Sequence, residues 1–266
     1  MSDLWEVYAL KYADHNIRHR SDSFLFDDDH NAPCPLDYFV WILKNGDKTI
    51  LVDTGFDKQE SIARGRDLHE TPAELVARFG IQPQHIDNVI VTHMHYDHAG
   101  GLGDFIHATF HLQQQEMQYA TGPCMCHGVL QKPFTVEHVC TMVKQLYSGK
   151  LVFHDGSSEI TPGVEVHLIG GHSRGLQCVR VKTRRGWLVL ASDASHYYEN
   201  FLNGTPFPIV VDLEEMLNGF NTLRKLADTE QHIIPGHDPA VRKLYPSVFE
   251  NDDSIVRLDI EPQKLA

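Results

Sequence analysis

The apolar residues of this chain fall into short runs separated by polar turns, a pattern typical of β-strands. Two of the runs, at residues 38–43 and 49–52, flank Asn45-Gly46-Asp47, which predicts a hairpin turn. The predicted strands cover residues 4–10, 38–43, 49–52, 88–91, 109–112, 151–153, 164–169, 177–182, 187–190 and 232–234.

Apolar positions spaced three and four residues apart predict helices between these strands. The predicted helices cover residues 72–79, 113–120, 136–147 and 213–226. The first of them has Thr71 as its N-cap, Pro72 at its first position and Glu74 to complete a capping box. Strands in two sets with helices among them predict an α/β fold built in layers. We predict a single domain over residues 1–266.

The charge balance narrows the choice of partners. The chain has 23 Lys and Arg against 36 Asp and Glu, a formal net charge of −13. Nucleic acids and anionic membrane surfaces are bound by clustered basic residues, so we expect neither as a partner. The start of the chain lacks the features of a signal peptide, and no apolar run is long enough to span a membrane. Five cysteines without regular spacing do not resemble a disulfide framework, so we predict a cytoplasmic protein.

Histidine is abundant, with 18 residues, and the densest group follows the predicted strand at 88–91. His93, His95, Asp97 and His98 lie within six residues there. Side chains two apart on an extended backbone point the same way, so His93 and His95 can bind one metal together. Asp97 and His98 follow the strand, where a turn can present a second pair. Neutral imidazole and carboxylate suit zinc and similar borderline cations.

Three later strands also end at a residue that can bind a metal. His172, Asp193 and His237 each stand in a turn that directly follows a predicted strand. Separate strands of one sheet system can deliver such residues to one edge. Taken singly, each is better interpreted as capping a turn or lying in the core, but together with the first group they indicate one metal site.

A serine hydrolase is an alternative interpretation of the same region. Residues 171–175 fit the G-x-S-x-G pattern around Ser173, and Asp193 and His237 follow in the matching order. That motif requires a helix after the turn, whereas residues 177–182 alternate as a strand. It also leaves the histidines at 93–98 without a role, so we favour the metal site.

These motifs resemble the metallo-β-lactamase superfamily of hydrolases and, within it, the N-acyl homoserine lactonase family. The matching segments extend over about residues 40–240 and comprise 50–55, 93–101, 171–173, 192–195 and 235–238. The resemblance implies an αβ/βα four-layer sandwich, the metallo-β-lactamase fold. It also implies two divalent metal ions, with Zn²⁺ as the expected metal.

The resemblance further implies a role for each metal-binding residue. One metal would be held by His93, His95 and His172, the other by Asp97, His98 and His237, and both by Asp193. A hydroxide bridging the two metals would open the ring of an N-acyl homoserine lactone, and Asp97 would protonate the leaving alkoxide. Asp53 would orient a ligand histidine, although Asp-Thr-Gly is also an ordinary turn sequence.

Two positions depart from the lactonase pattern. Those lactonases carry a tyrosine three residues after the bridging aspartate, where its hydroxyl contacts the substrate carbonyl. Here that position is His196, followed by Tyr197, and either side chain could supply the contact as a catalytic residue. Leu176 stands where the family pattern has a histidine. Both departures bear on the substrate rather than on the metal site.

Several functions therefore stay open beside the leading one. The same metals could hydrolyse another lactone or a thioester, as in glyoxalase II, although residues 192–195 favour a lactonase. An RNA-processing nuclease of the superfamily is disfavoured by the negative charge. A third alternative is a non-hydrolytic protein, either zinc-binding or an oxygen-reducing di-iron protein. Di-iron relatives tend to carry an acidic residue at the position of His95, so His95 favours zinc over iron. The sequence predicts a small-molecule lactone as partner and leaves the oligomeric state open.

Overall fold

The computed structural model describes residues 3–263, which form two β-sheets flanked by helices. The strands in this part of the chain are β1 (Glu6–His15), β2 (Leu36–Asn45), β3 (Lys48–Val52), β4 (Asp67–Leu68), β5 (Asn88–Ile90), β6 (Thr109–Gln113), β7 (Leu151–His154), β8 (Ser158–Thr161), β9 (Val164–Leu168), β10 (Gln177–Thr183), β11 (Gly186–Ser192), β12 (Ile233–Pro235), β13 (Ser247–Phe249) and β14 (Asp252–Arg257). The helices are α1 (Lys58–Arg64), α2 (Pro72–Arg78), α3 (Gln114–Ala120), α4 (Gly128–Gln131), α5 (Val136–Tyr147), α6 (Tyr198–Asn203), α7 (Leu213–Leu226) and α8 (Ala240–Leu244).

The larger sheet has the strand order β13-β14-β1-β2-β3-β5-β6-β7, with β4 paired to β1. Its strands β3, β5, β6 and β7 are parallel, whereas β1, β2 and β3 are antiparallel. The smaller sheet has the order β12-β11-β10-β9-β8, and only β11 and β12 are parallel in it. The ends of β5, β9, β11 and β12 lead into the turns that carry the predicted metal-binding residues.

The two sheets pack face to face because strands β1 and β2 are apolar on both sides. Val7 and Ala9 of β1 contact the inter-sheet core together with Val179 and Leu190 of the smaller sheet. Successive side chains on a strand point to opposite faces, so Tyr8 and its alternate neighbours enter a second core on the outer face.

Helices cover the outer face of each sheet. Leu75 of α2 and Met142 of α5 lie in the core on the outer face of the larger sheet. Phe201 of α6 and Phe220 of α7 pack on the outer face of the smaller sheet. The order of layers is helix, sheet, sheet, helix, so the predicted αβ/βα sandwich is confirmed.

Local sequence signals also fix several element bounds. Helices α5 and α7 have the predicted bounds. The predicted capping box is present: the Glu74 N–H donates to Thr71 Oγ1 at 3.3 Å, and the Thr71 N–H donates to Glu74 Oε2 at 2.8 Å. Gly46 adopts a positive φ of 59° in the predicted hairpin turn. Within residues 3–263, no helix is long and apolar enough to cross a membrane.

Candidate active site

The loop after β5 is held tightly against the turn after β3. A Cβ added to Gly101 would lie 2.4 Å from the Thr54 carbonyl oxygen, so only glycine permits this approach. The Thr54 N–H donates to the His98 carbonyl oxygen at 2.8 Å, and the Gly101 N–H donates to Thr54 Oγ1 at 3.2 Å. These contacts fix the backbone of the histidine-rich loop at the end of the larger sheet.

The structure brings together all the residues that the sequence singled out as metal-binding. They are buried, and their ligand atoms form overlapping groups within 4.8 Å of one another. The groups are His93, His95 and His172; His93, His98 and Asp193; Asp97, His98 and His237; and His172, Asp193 and His196. Two sets of donors that share one carboxylate suit a dinuclear metal site.

Hydrogen bonds on the outer nitrogens orient several of these rings. His172 Nδ1 lies 2.7 Å from the Ile209 carbonyl oxygen, and His237 Nδ1 lies 2.8 Å from that of Asp37. A carbonyl oxygen only accepts, so each Nδ1 carries the proton and each Nε2 is left with a free lone pair facing the cluster.

The inward-facing atoms also lack partners of their own. Nε2 of His93, His98 and His172 and Oδ1 of Asp193 are buried, and none makes a hydrogen bond to the residues described. A buried polar atom without a partner is costly, and a bound cation removes that cost. The donor set therefore fits divalent metal ions.

Asp193 lies between the two groups of histidines. Its Oδ1 is 3.2 Å from His98 Nε2 and 3.0 Å from His237 Nε2. Its Oδ2 is 3.3 Å from His172 Nε2 and 3.0 Å from His196 Nε2. One oxygen thus faces each group, which is the arrangement that a shared carboxylate ligand needs.

Burial lowers the pKa values of the clustered histidines, whereas the neighbouring carboxylates raise them. Burial, with further contributions from His98 and His95, lowers the pKa of His93 well below its ordinary value. Burial acts the same way on His98, but the carboxylates of Asp193, Asp97 and Asp53 outweigh it and raise the pKa of His98 well above its ordinary value. The nearby carboxylates thus favour positive charge beside Asp193, the position where cations would bind.

Asp53 makes the predicted contact with one of the clustered histidines. Its Oδ2 lies 2.8 Å from His98 Nδ1, while its Oδ1 accepts the Thr92 N–H at 2.7 Å. The Thr92 hydroxyl lies 2.8 Å from Ser192 Oγ, so this network joins the loop after β5 to the end of β11. Asp53 has a φ of 62°, uncommon for a residue with a side chain, and the buried hydrogen bonds hold it there.

Glu116 is a buried supporting residue that the sequence analysis missed. Its carboxylate accepts the Met94 N–H at 2.9 Å and the Gly175 N–H at 2.9 Å. The Ser173 hydroxyl also lies 2.8 and 2.6 Å from its two oxygens. Met94 stands between two histidines of the cluster, and Ser173 follows a third. A single carboxylate from α3 therefore fixes both backbone segments.

The same contacts argue against a serine nucleophile. The Ser173 hydroxyl is buried and donates to Glu116, and a β-strand rather than a helix follows this turn. A Cβ on Gly175 would lie 2.1 Å from the Glu116 nitrogen, so this glycine serves the close approach of α3. Leu176, the other departure from the family pattern, is buried in the core of the smaller sheet.

His196 and Tyr197 lie on different sides of the backbone. His196 lines the cavity above the cluster, its ring stacked on Phe207 at a centroid distance of 3.7 Å. Burial lowers the pKa of His196 to about 3. The Tyr197 hydroxyl instead lies 3.2 Å from the Pro35 carbonyl oxygen, and its ring packs on Phe24.

Two tyrosines that the sequence analysis did not select also line the cavity. The hydroxyl oxygens of Tyr38 and Tyr96 are 2.9 Å apart, and the Tyr38 ring contacts the His237 ring edge-on. Burial raises the pKa of Tyr38 to about 12, so the phenol stays protonated at neutral pH. The cavity holds about 330 Å³ and is lined by both tyrosines and by the cluster. That volume suits a small organic ligand.

Comparisons with known proteins agree with this geometry. The profile of the metallo-beta-lactamase superfamily matches residues 35–243. An N-acyl homoserine lactonase of Bacillus cereus is 28% identical over an alignment of 219 positions, which covers 76% of this chain and 82% of that protein.

Solved structures show the same fold. A quorum-quenching N-acyl homoserine lactone lactonase has a TM-score of 0.74 and 25% identity, with 88% of this chain and 92% of that chain covered. An N-acyl homoserine lactone hydrolase solved with N-hexanoyl-L-homoserine at its catalytic metal center has a TM-score of 0.75 and 24% identity, with 90% and 95% covered. The fold, the paired donor groups and the match over most of the sequence lead to one conclusion: the chain belongs to the metallo-beta-lactamase superfamily of hydrolases.

Proposed function

We propose that this protein is a zinc-dependent hydrolase that opens lactone rings, with N-acyl homoserine lactones as the leading substrates. The observation that carries the proposal is the position of Asp193, which presents one oxygen to each of two groups of buried histidines. The similarity to lactonases over three quarters of the chain supports the choice of substrate.

The proposed ligands follow the two groups. One metal would be held by His93, His95 and His172, the other by Asp97, His98 and His237, and Asp193 would be shared. Imidazole and carboxylate donors without thiolates favour Zn²⁺ among borderline cations, although affinity alone does not select the metal in a cell. When bound, two such cations supply an activated water and polarise the ester carbonyl.

Two side chains would then act on the substrate, one by protonating the leaving oxygen and one by donating a hydrogen bond to the carbonyl oxygen. Asp97 lines the cavity, and its Oδ2 lies 3.7 Å from His98 Nε2 and 3.8 Å from His237 Nε2. We propose that it takes up the proton that the attacking water loses and gives it to the alkoxide oxygen released as the ring opens. The Nε2–H of neutral His196 donates to Asp193 Oδ2 at 3.0 Å. We propose that binding of the metals by Asp193 would free this N–H for a substrate carbonyl oxygen.

Ring opening can be tested by the release of one proton per lactone near neutral pH. Short-chain and long-chain N-acyl homoserine lactones would be compared, with metal content measured on the same sample. We expect about two metals per chain and ring opening, both lost in the His93→Ala, His95→Ala double variant. Two bound metals with no ring opening of any lactone would contradict the proposed substrate.

A thioester is the second candidate substrate. The observation that favours it is the absence of the lactonase tyrosine at position 196, where His196 stands against Phe207. An S-acyl thioester assayed beside the lactones separates the two, because both esters use the same cluster but present different leaving groups. If the thioester is cleaved faster than the lactones, thioesters become the proposed substrate class.

A further inference from the structure

Basic side chains outnumber carboxylates in the lining of the cavity, in contrast to the acidic chain as a whole. Arg18, Arg64, Arg66 and Lys132 line it, and among the residues described its acidic lining residues are Asp97 and Asp193 of the cluster. Arg64 is paired with Glu60, which leaves Arg18, Arg66 and Lys132. Within residues 3–263, these three cationic side chains form no ion pair with a carboxylate within 4.0 Å. Most other arginines described do form such pairs, as Arg20 does with Glu199, Arg78 with Glu70 and Arg257 with Glu6.

The two arginines keep donors unused although they are partly buried. Arg66 donates from Nε to the Tyr96 hydroxyl at 3.1 Å and from Nη1 to the Arg64 carbonyl oxygen at 2.7 Å. Arg18 donates from Nη2 to the Asp22 carbonyl oxygen at 2.5 Å, while its buried Nε has no partner. Neutral partners leave the positive charge of each guanidinium uncompensated. In a chain rich in carboxylates, this arrangement favours an anion from outside the protein.

Two tyrosine side chains separate Arg66 from the metal-binding cluster. The Tyr38 ring contacts His237, the Tyr38 hydroxyl contacts the Tyr96 hydroxyl, and the Tyr96 hydroxyl in turn accepts from Arg66. A tyrosine pair therefore stands between the guanidinium and the donor groups. An anion bound at Arg66 is thus not the carboxylate that hydrolysis creates at the cluster, but a second group at the far end of the substrate.

We propose that the natural substrate carries a carboxylate remote from the reacting ester, and that Arg18 and Arg66 bind it, with Lys132 adding positive charge at the cavity mouth. This inference rests on the proposed function, because it names a feature of the substrate hydrolysed at that cluster. The planar guanidinium fork matches a carboxylate.

The test compares two lactones that differ only in charge. N-glutaryl homoserine lactone ends in a carboxylate, and N-(4-carbamoylbutanoyl) homoserine lactone ends in a carboxamide of the same shape. We expect the metal-loaded protein to show a kcat/KM roughly 10- to 100-fold higher for the carboxylate, the strength of a charged hydrogen-bonded contact. The preference should appear mainly in KM, because this group does not react, and should fall as salt is added.

Substitutions test whether the two arginines cause the preference for the carboxylate-bearing lactone. Arg66→Gln and Arg18→Gln should each bring the ratio of the two kcat/KM values closer to one, and Arg66→Lys should retain part of it because the charge remains. Arg184→Gln is the matched control. Arg184 pairs with Asp259 and lies in the turn between β10 and β11, at the opposite end of these strands from the cluster, so the ratio should stay at the wild-type value.

The outcomes separate this inference from the proposed function. Equal kcat/KM values for the two lactones in the wild-type protein would overturn the inference and leave lactone hydrolysis standing. If neither lactone is opened, calorimetric titration of both compounds decides the inference, and the proposed function fails only if no other lactone is opened either. Tighter binding of the carboxylate, lost in Arg66→Gln and kept in Arg184→Gln, would support it, and equal binding would overturn it.

Discussion

Glu116→Gln is the substitution that best tests how the fold positions the cluster. The carboxylate accepts from two backbone N–H groups and one hydroxyl, and it is fully buried. A glutamine retains one acceptor oxygen and places an NH₂ group where the other oxygen stood. Either the Met94 N–H or the Gly175 N–H then faces a donor and stays unpaired.

The magnitude follows from these contacts. A buried donor left without a partner costs about 1–3 kcal/mol, and the remaining bonds weaken because the acceptor is no longer charged. Burial raises the pKa of Glu116, so removing its charge recovers some desolvation energy. We therefore expect a loss of about 2 kcal/mol in the free energy of unfolding. We also expect a roughly 10- to 100-fold weaker affinity for metal, the usual effect of losing a residue that orients ligands.

The assay measures both quantities on the same protein. Urea unfolding of the metal-free protein gives the stability, and competition with a chelator of known Zn²⁺ affinity gives the metal dissociation constant. Asp259→Asn is the matched control, because Asp259 is an equally buried carboxylate that accepts from the Val7 N–H and from Arg257, away from the cluster. Its variant should lose stability and keep the wild-type affinity.

Two results would refute this reasoning. Glu116→Gln could bind Zn²⁺ as tightly as the wild-type protein, in which case Glu116 only supports the core. Alternatively, Asp259→Asn could lose as much metal affinity as Glu116→Gln, which would mean that general loosening of the fold, rather than the two backbone segments held by Glu116, sets the affinity.

Three further predictions address the remaining buried groups. Burial lowers the pKa of His111 to about 4, so between about pH 6.5 and 4 this histidine is protonated in the unfolded chain but not in the folded one, and the free energy of unfolding falls as the pH drops. His111→Gln should reduce this loss by about 2 kcal/mol in urea unfolding. An unchanged dependence of stability on pH would contradict the prediction. Ser173→Ala should cost about 1 kcal/mol and still hydrolyse ester, whereas abolished turnover with metal retained would restore the serine mechanism. His196→Phe should preserve the stacking on Phe207 and the metal content but lower kcat about 100-fold, and unchanged kcat would remove His196 from the catalytic residues.

The fold was predictable where short segments carry their own signals. Helix α7 buries one face whose apolar positions recur at helical spacing, and the capping box of α2 is complete within four residues. The metal-binding residues were predictable for a related reason, because each follows a short apolar strand and four of them lie within six residues. Such signals depend only on residues that are near one another in the sequence, so they can be recognised without knowledge of tertiary contacts.

Elements that depend on distant partners were not predictable in this way. Strand β14 has the sequence DDSIVR, which is too polar to read as a strand, yet it pairs with β1 through Leu10 and Ile255. Strand β1 extends to His15, five residues beyond its predicted end, through its pairing with β2. Glu116 lies in a polar stretch of α3 that gives no sign of burial, because the groups it contacts come from two separate turns.

The lactonase pattern has a tyrosine at the position of His196. Its replacement here shows what is overlooked when sequences are compared at one position. At the aligned position His196 stacks on Phe207, and the adjacent Tyr197 points into the core. Tyr38 of β2 and Tyr96 of the loop after β5, however, line the same cavity, with their hydroxyl oxygens 2.9 Å apart. Burial raises the pKa of both, so both phenols remain donors at neutral pH. A hydroxyl missing at one sequence position can thus be offered by residues far away in the chain, and only the three-dimensional structure shows that they line the same cavity as His196.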